Sequence, residues 1–312
     1  MHRDINRELT VIIPTLREAE AIGDVIDELH SYGITNILVV DGHSDDGTDR
    51  IAREKGARVV YQPGRGKADA VRHGLSLADT EYVLVMDGDY TYPARHVREL
   101  YEKIREGYDE VIGVRVYGEG AQPLVFRVGN RLLTWFFNLL FGTSLGDVLS
   151  GMYAVRKSAL TSALLEMRGF SVEAEIAAHI ASTSASIAEL PINYRRRKGR
   201  KKLGVLDGLR IGLDMVRLAW RYNPTFVLFS LGSLLLLPGL AIGAWVAYEY
   251  LLLGVKHHVW GIIAVVLAST GFNSLLLAIM SIYLKHLEYR MNRRVTELVN
   301  LARKTANTPN GC

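Results

Sequence analysis

Two carboxylates, Asp87 and Asp89 in Asp87-Gly88-Asp89, close the apolar run Tyr82-Val83-Leu84-Val85-Met86. An unbroken apolar run followed by glycine reads as a buried parallel strand. Its carboxyl end is where open α/β sheets bind ligands. Hard oxygen ligands at that rim suit Mg²⁺ or Mn²⁺, which commonly link one or two carboxylates to substrate phosphates. A solvated Asp-Gly-Asp turn uses the same residues, and the rest of the chain decides against it. A second acidic stretch, Asp41-Gly42-His43-Ser44-Asp45-Asp46-Gly47-Thr48, follows another apolar run. Asp41 stands where that strand opens and can accept hydrogen bonds from a base or ribose. Asp46 and Thr48 read as helix caps and His43 as a loop residue. Cations cluster at Arg195-Arg196-Arg197-Lys198 and Arg200-Lys201-Lys202, suited to phosphates on a substrate or on lipid headgroups. Glu173 and Glu175 open a helix-like segment where either could pair with those cations, and neither is assigned a catalytic role.

The elements that must position these groups alternate. Strands are expected at Leu9–Pro14, Ile37–Val40, Val59–Tyr61 and Tyr82–Met86, and helices at Glu18–Tyr32, Thr48–Lys55, Lys67–Ala78 and Pro93–Glu106. Such alternation predicts βαβ units and a mostly parallel sheet covered on both faces. Strands one, two and four end in Thr15 and Glu18, in Asp41, and in Asp87 and Asp89, so one ligand site should span all three ends.

Composition narrows the class. The 312 residues leave room for about two domains. They are 49% hydrophobic, with the surplus in the last third. A net charge of +4, with no basic, aromatic-interleaved stripe outside the region near Arg195, argues against nucleic acid. The single cysteine, Cys312, excludes an intrachain disulfide or a cysteine-based metal site. The polar start, Met1-His2-Arg3-Asp4, predicts no signal peptide and chemistry on the cytoplasmic side.

Pro14-Thr15-Leu16-Arg17-Glu18, the Asp41–Thr48 run, Asp87-Gly88-Asp89 and Ser150-Gly151 together resemble family 2 glycosyltransferases of the GT-A fold. More narrowly, the chain resembles the polyprenyl- and dolichyl-phosphate hexosyltransferases, over nearly all of residues 9 to 205. The Gln-x-x-Arg-Trp motif of processive synthases is absent, which argues against polymer synthesis. The resemblance implies that Pro14, Thr15, Glu18 and Asp41 hold the nucleotide base and ribose. It implies that Asp87, Gly88 and Asp89 meet the diphosphate, with Asp87 and Asp89 as metal ligands. Arg115 matches an arginine near the phosphates, while Arg197, Lys202 and Leu203 match the Arg…Lys-Leu that follows the Pro191-Ile192 strand. Lys67, in Gly66-Lys67-Ala68-Asp69-Ala70-Val71-Arg72, sits in a run closer to glucosyl-type relatives and tilts the donor toward a UDP-sugar. Two positions depart from the pattern. Gly42 replaces the second Asp of an Asp-Asp pair, and Thr91 stands where mannosyl enzymes often place a glutamine ligand.

The last third carries two apolar stretches, Phe226–Leu253 with Glu249 as its one charge and Val259–Tyr283 with none. Each exceeds the roughly 20 residues that span a bilayer, and Pro238 is tolerable inside such a helix. Arg217 and Arg221 precede the pair and Lys285, Arg290, Arg293 and Arg294 follow it, while the connecting turn holds only Lys256. The positive-inside rule then places the catalytic domain and the C-terminal tail together in the cytoplasm. Phe126–Phe141 and Leu206–Tyr222 are amphipathic, suited either to the headgroup plane or to packing on the sheet. The expected organisation is a GT-A catalytic domain at 1–203, a juxtamembrane amphipathic helix at 204–224, two transmembrane helices at 225–285 and a tail at 286–312.

The expected reaction transfers one hexose from a nucleotide sugar to a polyprenyl or dolichyl phosphate, with Mg²⁺ or Mn²⁺ as cofactor. Asp87, Asp89, Arg115 and Arg131 are its expected catalytic residues, with Arg131 on the acceptor side. A GDP-mannose donor is the alternative within enzymes, and an inactive nucleotide-sugar-binding scaffold the alternative outside them. Membrane lipids are the other expected partner, and the sequence leaves monomer or homo-oligomer open.

Overall fold

The computed structural model describes residues 5–118, 120–161, 163, 165–167, 169, 171–199 and 204–306; for 205, 206, 285, 286 and 288–306 only the backbone is described. The strands are β1 (Leu9–Thr15), β2 (Ile37–Asp41), β3 (Arg58–Tyr61), β4 (Tyr82–Val85), β5 (Glu110–Tyr117), β6 (Tyr153–Arg156) and β7 (Ile187–Tyr194). The helices of the same unit are α1 (Ile5–Glu8), α2 (Ile22–Ser31), α3 (Thr48–Glu54), α4 (Lys67–Leu77), α5 (Arg95–Ile104), α6 (Leu124–Phe141), α7 (Val172–Thr183) and α8 (Val205–Tyr222). Two more, α9 (Pro224–Leu253) and α10 (His258–Ala306), follow.

The strands form one sheet in the order β3-β2-β1-β4-β6-β5-β7. All neighbours are parallel except β6, which runs antiparallel between β4 and β5. The apolar runs read from sequence are buried because helices cover both faces of the sheet. Val11, Ile13, Val39 and Leu84 of the strands join Ile22 and Ile26 of α2 and Leu100 of α5 in one core. Ile22 and Ile26 stand four residues apart, so both fall on the face of α2 that meets the sheet.

The first four expected strands are present within a residue or so of their predicted ends. The first long helix is not: it begins at Ile22 rather than Glu18. The N–H of Glu18 is held by Thr48 Oγ1 at 2.8 Å and that of Ala19 by Asp46 Oδ2 at 3.1 Å. These contacts with the β2–α3 loop hold the segment between β1 and α2 out of the helix. Asp46 also accepts from the Thr48 N–H, but the N-cap position is Gly47, which makes no side-chain capping bond, so neither Asp46 nor Thr48 is the cap residue itself.

The chain divides into two compact units, Met1–Tyr222 and Asn223–Cys312. The amphipathic helix α8 therefore belongs to the sheet-bearing unit, packing on α6 and α7. Both α6 and α8 keep large apolar side chains in the open, among them Leu124, Leu132 and Trp135 on the first and Leu209, Leu213 and Trp220 on the second.

The second unit is a helical hairpin with its turn at residues 254–257. Pro224–Leu253 and His258–Leu284 have mean hydropathies of 2.1 and 2.2 and are long and apolar enough to cross a bilayer. Many of their apolar side chains are exposed, including Leu234, Leu251 and Val259. The helices are held by close packing and by hydroxyls that serve backbone groups, as Ser274 Oγ donates to Leu228 O at 2.8 Å. The second apolar span ends at Leu284, one residue beyond the expected Tyr283, and α10 continues past it to Ala306.

Candidate active site

Asp87, Gly88 and Asp89 leave the sheet just after β4, where Met86 N–H still bonds Ile12 O at 3.1 Å. The carboxylate of Asp87 lies against the bare backbone of Gly151, in space that a Cβ on that residue would fill. The turn after it is tight, with Tyr90 at φ 68°, a conformation costly for an aromatic residue that tends to persist at functional sites. The Tyr90 ring is clamped by the guanidinium of Arg195 at 4.3 Å and the ammonium of Lys198 at 4.4 Å. Asp89 is buried. Its Oδ1 accepts from the N–H and hydroxyl of Thr91, and Oδ2 pairs with Arg197. Thr91 therefore orients Asp89 through its hydroxyl. Burial and the nearby Asp87 raise the pKa of Asp89, while Arg197 and Thr91 oppose the shift.

Lys67, the first residue of α4, reaches Asp87 Oδ1 at 2.6 Å and Glu173 Oε1 at 2.5 Å. Burial disfavours its charge, but the two carboxylates outweigh that and hold its pKa above the ordinary lysine value. Glu173, buried on the first turn of α7, has its own pKa pushed up by burial and pulled back by Lys67. Its neighbour Glu175 instead accepts from the backbone N–H groups of Glu166 and Met167 at 2.7 and 3.0 Å.

Lys67, Asp87, Asp89, Glu173 and Arg197 face a cavity of about 750 Å³. The ends of β1 and β2 supply Pro14, Thr15, Leu16, Glu18 and Gly42 to its wall, with Gln62 after β3. Lys67, Asp87, Gly88, Asp89, Arg115, Glu173 and Arg197 follow, and α6 and α8 add Val125, Phe126, Gly129, Leu133 and Ile211. One cavity thus joins a polar, charged part to an apolar part.

Several expected site residues are placed otherwise. Asp41 is fully buried and is not among the cavity's described lining residues. Its Oδ1 accepts from Ser44 N at 2.7 Å, and its Oδ2 from Ser44 Oγ at 2.7 Å and Thr15 Oγ1 at 3.0 Å. The carboxylate is committed to the fold of its own loop and to Thr15 rather than opening onto the described cavity wall. Arg115 lines the cavity, yet two of its nitrogens grip Asp147 at 2.6 and 2.7 Å, and Nη2 also reaches Asn130 Oδ1 and Leu149 O. A bidentate pair of this kind makes Arg115 a tie between β5, α6 and the approach to β6. Arg131 is exposed on α6 and absent from the described lining residues, so the structure does not bring it to the catalytic group. Lys202 and Leu203 lie outside the described residues. His43, as expected, serves its loop: it stacks on Tyr61 at 5.3 Å and bonds Gln62 O.

Sequence reasoning gave no site role to Glu173, Gln62, Asp147 or Asn130. Glu173 was visible as an acidic residue at a helix start, but nothing local linked it to Lys67.

The donor set fits a hard divalent ion. Two carboxylates without a soft ligand suit Mg²⁺ or Mn²⁺, and Gly151 leaves the space that one of them occupies. Among the described residues no third His, Cys, Asp or Glu completes a protein-only metal cluster.

Residues 10–162 match Glycosyl transferase family 2. The chain is 33% identical to Glycosyltransferase AglJ of Haloferax volcanii, over 92% of this chain and 97% of that protein. It is 35% identical to the dolichyl-phosphate hexose transferase of the same organism, over 67% of this chain and 93% of the relative. Among solved structures, glucosyl-3-phosphoglycerate synthase from Mycobacterium tuberculosis, in complex with Mn²⁺, UDP-glucose and phosphoglyceric acid, superposes with a TM-score of 0.56 at 26% identity. That match covers 69% of this chain and 79% of the synthase.

Proposed function

The chain belongs to glycosyl transferase family 2 and has the GT-A fold, and we propose that it transfers one hexose from a nucleotide sugar to a polyprenyl or dolichyl phosphate at a membrane surface. The observation that carries this reading is the cavity itself. The paired carboxylates after β4 open into the same space as the apolar side chains of α6 and α8. A donor diphosphate suits the first part and a lipid-linked acceptor the second.

Asp87 and Asp89 would hold Mg²⁺ or Mn²⁺, which would supply a Lewis acid for the departing diphosphate. Arg197 and Lys67 keep those carboxylates in place and offer charge to the same phosphates. The acceptor phosphate has a second pKa near 6 and is largely dianionic at neutral pH, so it attacks without a strong general base. Glu173 therefore needs to take no proton; it anchors Lys67. Pro14, Thr15 and Glu18 bound the base and ribose end. The glucosyl-type run Gly66–Arg72 favours a UDP-sugar.

Exposed apolar side chains on α6 and α8 suit a headgroup layer, and the hairpin of α9 and α10 supplies the anchor. The cations before and after it favour a cytoplasmic catalytic unit. The printed name of one Haloferax relative, a dolichyl-phosphate hexose transferase, supports a lipid-phosphate acceptor. The Mn²⁺–UDP-glucose complex of the synthase supports the donor and metal class.

The test is transfer by the purified full chain, given polyprenyl phosphate and a panel of UDP- and GDP-sugars. One hexose should pass to the lipid from one donor class, chelation should stop it, and Asp89→Asn should slow it by about a hundredfold or more. Undiminished turnover in excess chelator would refute the metal role, and GDP-mannose as sole donor would replace the uridine assignment.

A further inference from the structure

Glu173 is a buried carboxylate that the transfer step does not need as a base, so its place calls for another reason. Taking a carboxylate out of water is costly unless a cation and hydrogen bonds meet it. Asp87 and Asp89 already bring two such charges to the sheet rim, with Lys67 and Arg197 as their partners. Glu173 adds a third without adding a cation. Among the described residues it pairs with Lys67 alone, at 2.5 Å, while Asp87 Oδ1 takes the same ammonium at 2.6 Å.

The start of α7 is tied to α4 through the segment that precedes it. Ala68 N–H bonds Gly169 O at 3.1 Å. Further along α4, Arg72 Nη1 donates to Leu165 O at 3.2 Å and to Met167 O at 2.8 Å. From the other side, Glu175 holds the N–H groups of Glu166 and Met167. These bonds set the first turn of α7, which carries Glu173, against the residue that opens α4.

We propose that Glu173 is a positioning residue for the metal and acts through Lys67: by sharing the ammonium, it leaves Asp87 enough negative charge to bind a divalent cation. A lysine committed to Asp87 alone would orient that carboxylate and also neutralise it. Charges a few ångströms apart interact strongly where water is scarce, so such an ammonium opposes the entry of a doubly charged ion. With Glu173 at nearly the same distance, Lys67 keeps a partner when Asp87 turns to the ion. No buried ammonium is then left unpaired. The first turn of a helix also favours the negative charge of Glu173.

The inference rests on the transferase reading, and its test does not depend on turnover. Mn²⁺ alone is titrated into the full chain in detergent, the free ion being read from its electron paramagnetic resonance signal. Wild type, Glu173→Gln, Lys67→Met and the double variant are compared. Thermal melts confirm that each is folded, and Lys67→Gln is the second background should Lys67→Met not fold. Glu173→Gln should raise the Mn²⁺ Kd by about tenfold or more. In the Lys67→Met background the same substitution should change it by less than about twofold, because the ammonium it acts through is gone. An unchanged Kd in Glu173→Gln alone would overturn the assignment. So would a loss of equal size in the Lys67→Met background, since Glu173 would then act on the ion directly. Hexose transfer by wild type is measured in parallel. If Mn²⁺ binds with the expected dependence on Glu173 and Lys67 but no nucleotide sugar gives transfer to polyprenyl phosphate, the transferase reading falls and the role of Glu173 stands.

Discussion

At Asp87 and Asp89 two negative charges are held close together at the sheet rim, and the chain balances them with Lys67 and Arg197. Glu110 is handled differently. It is buried at the start of β5, its Oε2 has no hydrogen-bond partner among the described residues, and burial together with Glu189 pushes its pKa well above the usual carboxylate range. A carboxyl whose pKa is higher folded than unfolded favours folding while protonated. That contribution is complete below the unfolded value and is lost as pH rises through the folded one. Glu110→Gln keeps the shape and removes the titration. The variant should therefore gain stability over wild type with rising pH from about 4.5 upward, by at most about 1.4 kcal/mol per unit. Thermal unfolding of both proteins between about pH 4 and 8 checks this. A difference that does not change with pH would mean that Glu110 is already ionised or better solvated than its burial suggests.

Between elements, the decisive approach is that of the segment before β6 to the end of β4. Because β6 runs antiparallel beside β4, Gly151 arrives level with Asp87, and its N–H is held by the Tyr92 hydroxyl at 2.7 Å. A side chain there has no room. Gly151→Ala should displace the Asp87 carboxylate, raise the metal concentration needed for half-maximal activity by about tenfold or more, and leave the unfolding transition nearly in place. Metal titration of transfer together with a thermal melt separates this from general destabilisation. An unchanged metal requirement would show that Asp87 has another way to relax.

For the whole molecule, the proposed membrane hairpin of α9 and α10 would set which side of a membrane each of its ends reaches. The charge asymmetry predicts that Lys256 lies outside and the C-terminus inside. Native Cys312 and a Lys256→Cys substitution in a Cys312→Ser background should then react with an impermeant thiol reagent from opposite sides of sealed vesicles. Reaction of both from one side would rule out the hairpin topology. Ending the chain after Tyr222, the limit of the sheet-bearing unit, should spare nucleotide binding and slow transfer to an acceptor held in a bilayer.

Sequence alone determined the alternating order of the first eight predicted elements, the place of Asp87-Gly88-Asp89 at a strand end and the two long apolar helices. Each of these is a local pattern: a burial period, a breaker residue, or a run length measured against a bilayer. Tertiary structure decided which charges meet. Lys67 and Glu173 open different helices, and only the crossover that sets α7 beside α4 brings them to Asp87. Asp41 looked like a ligand because it closes β2, yet the loop folds back so that Ser44 and Thr15 take its oxygens. Arg115 looked free for phosphate until the segment leading to β6 set Asp147 against it. The partner of a charged side chain is chosen by chain crossings far away in sequence, and no local pattern encodes them.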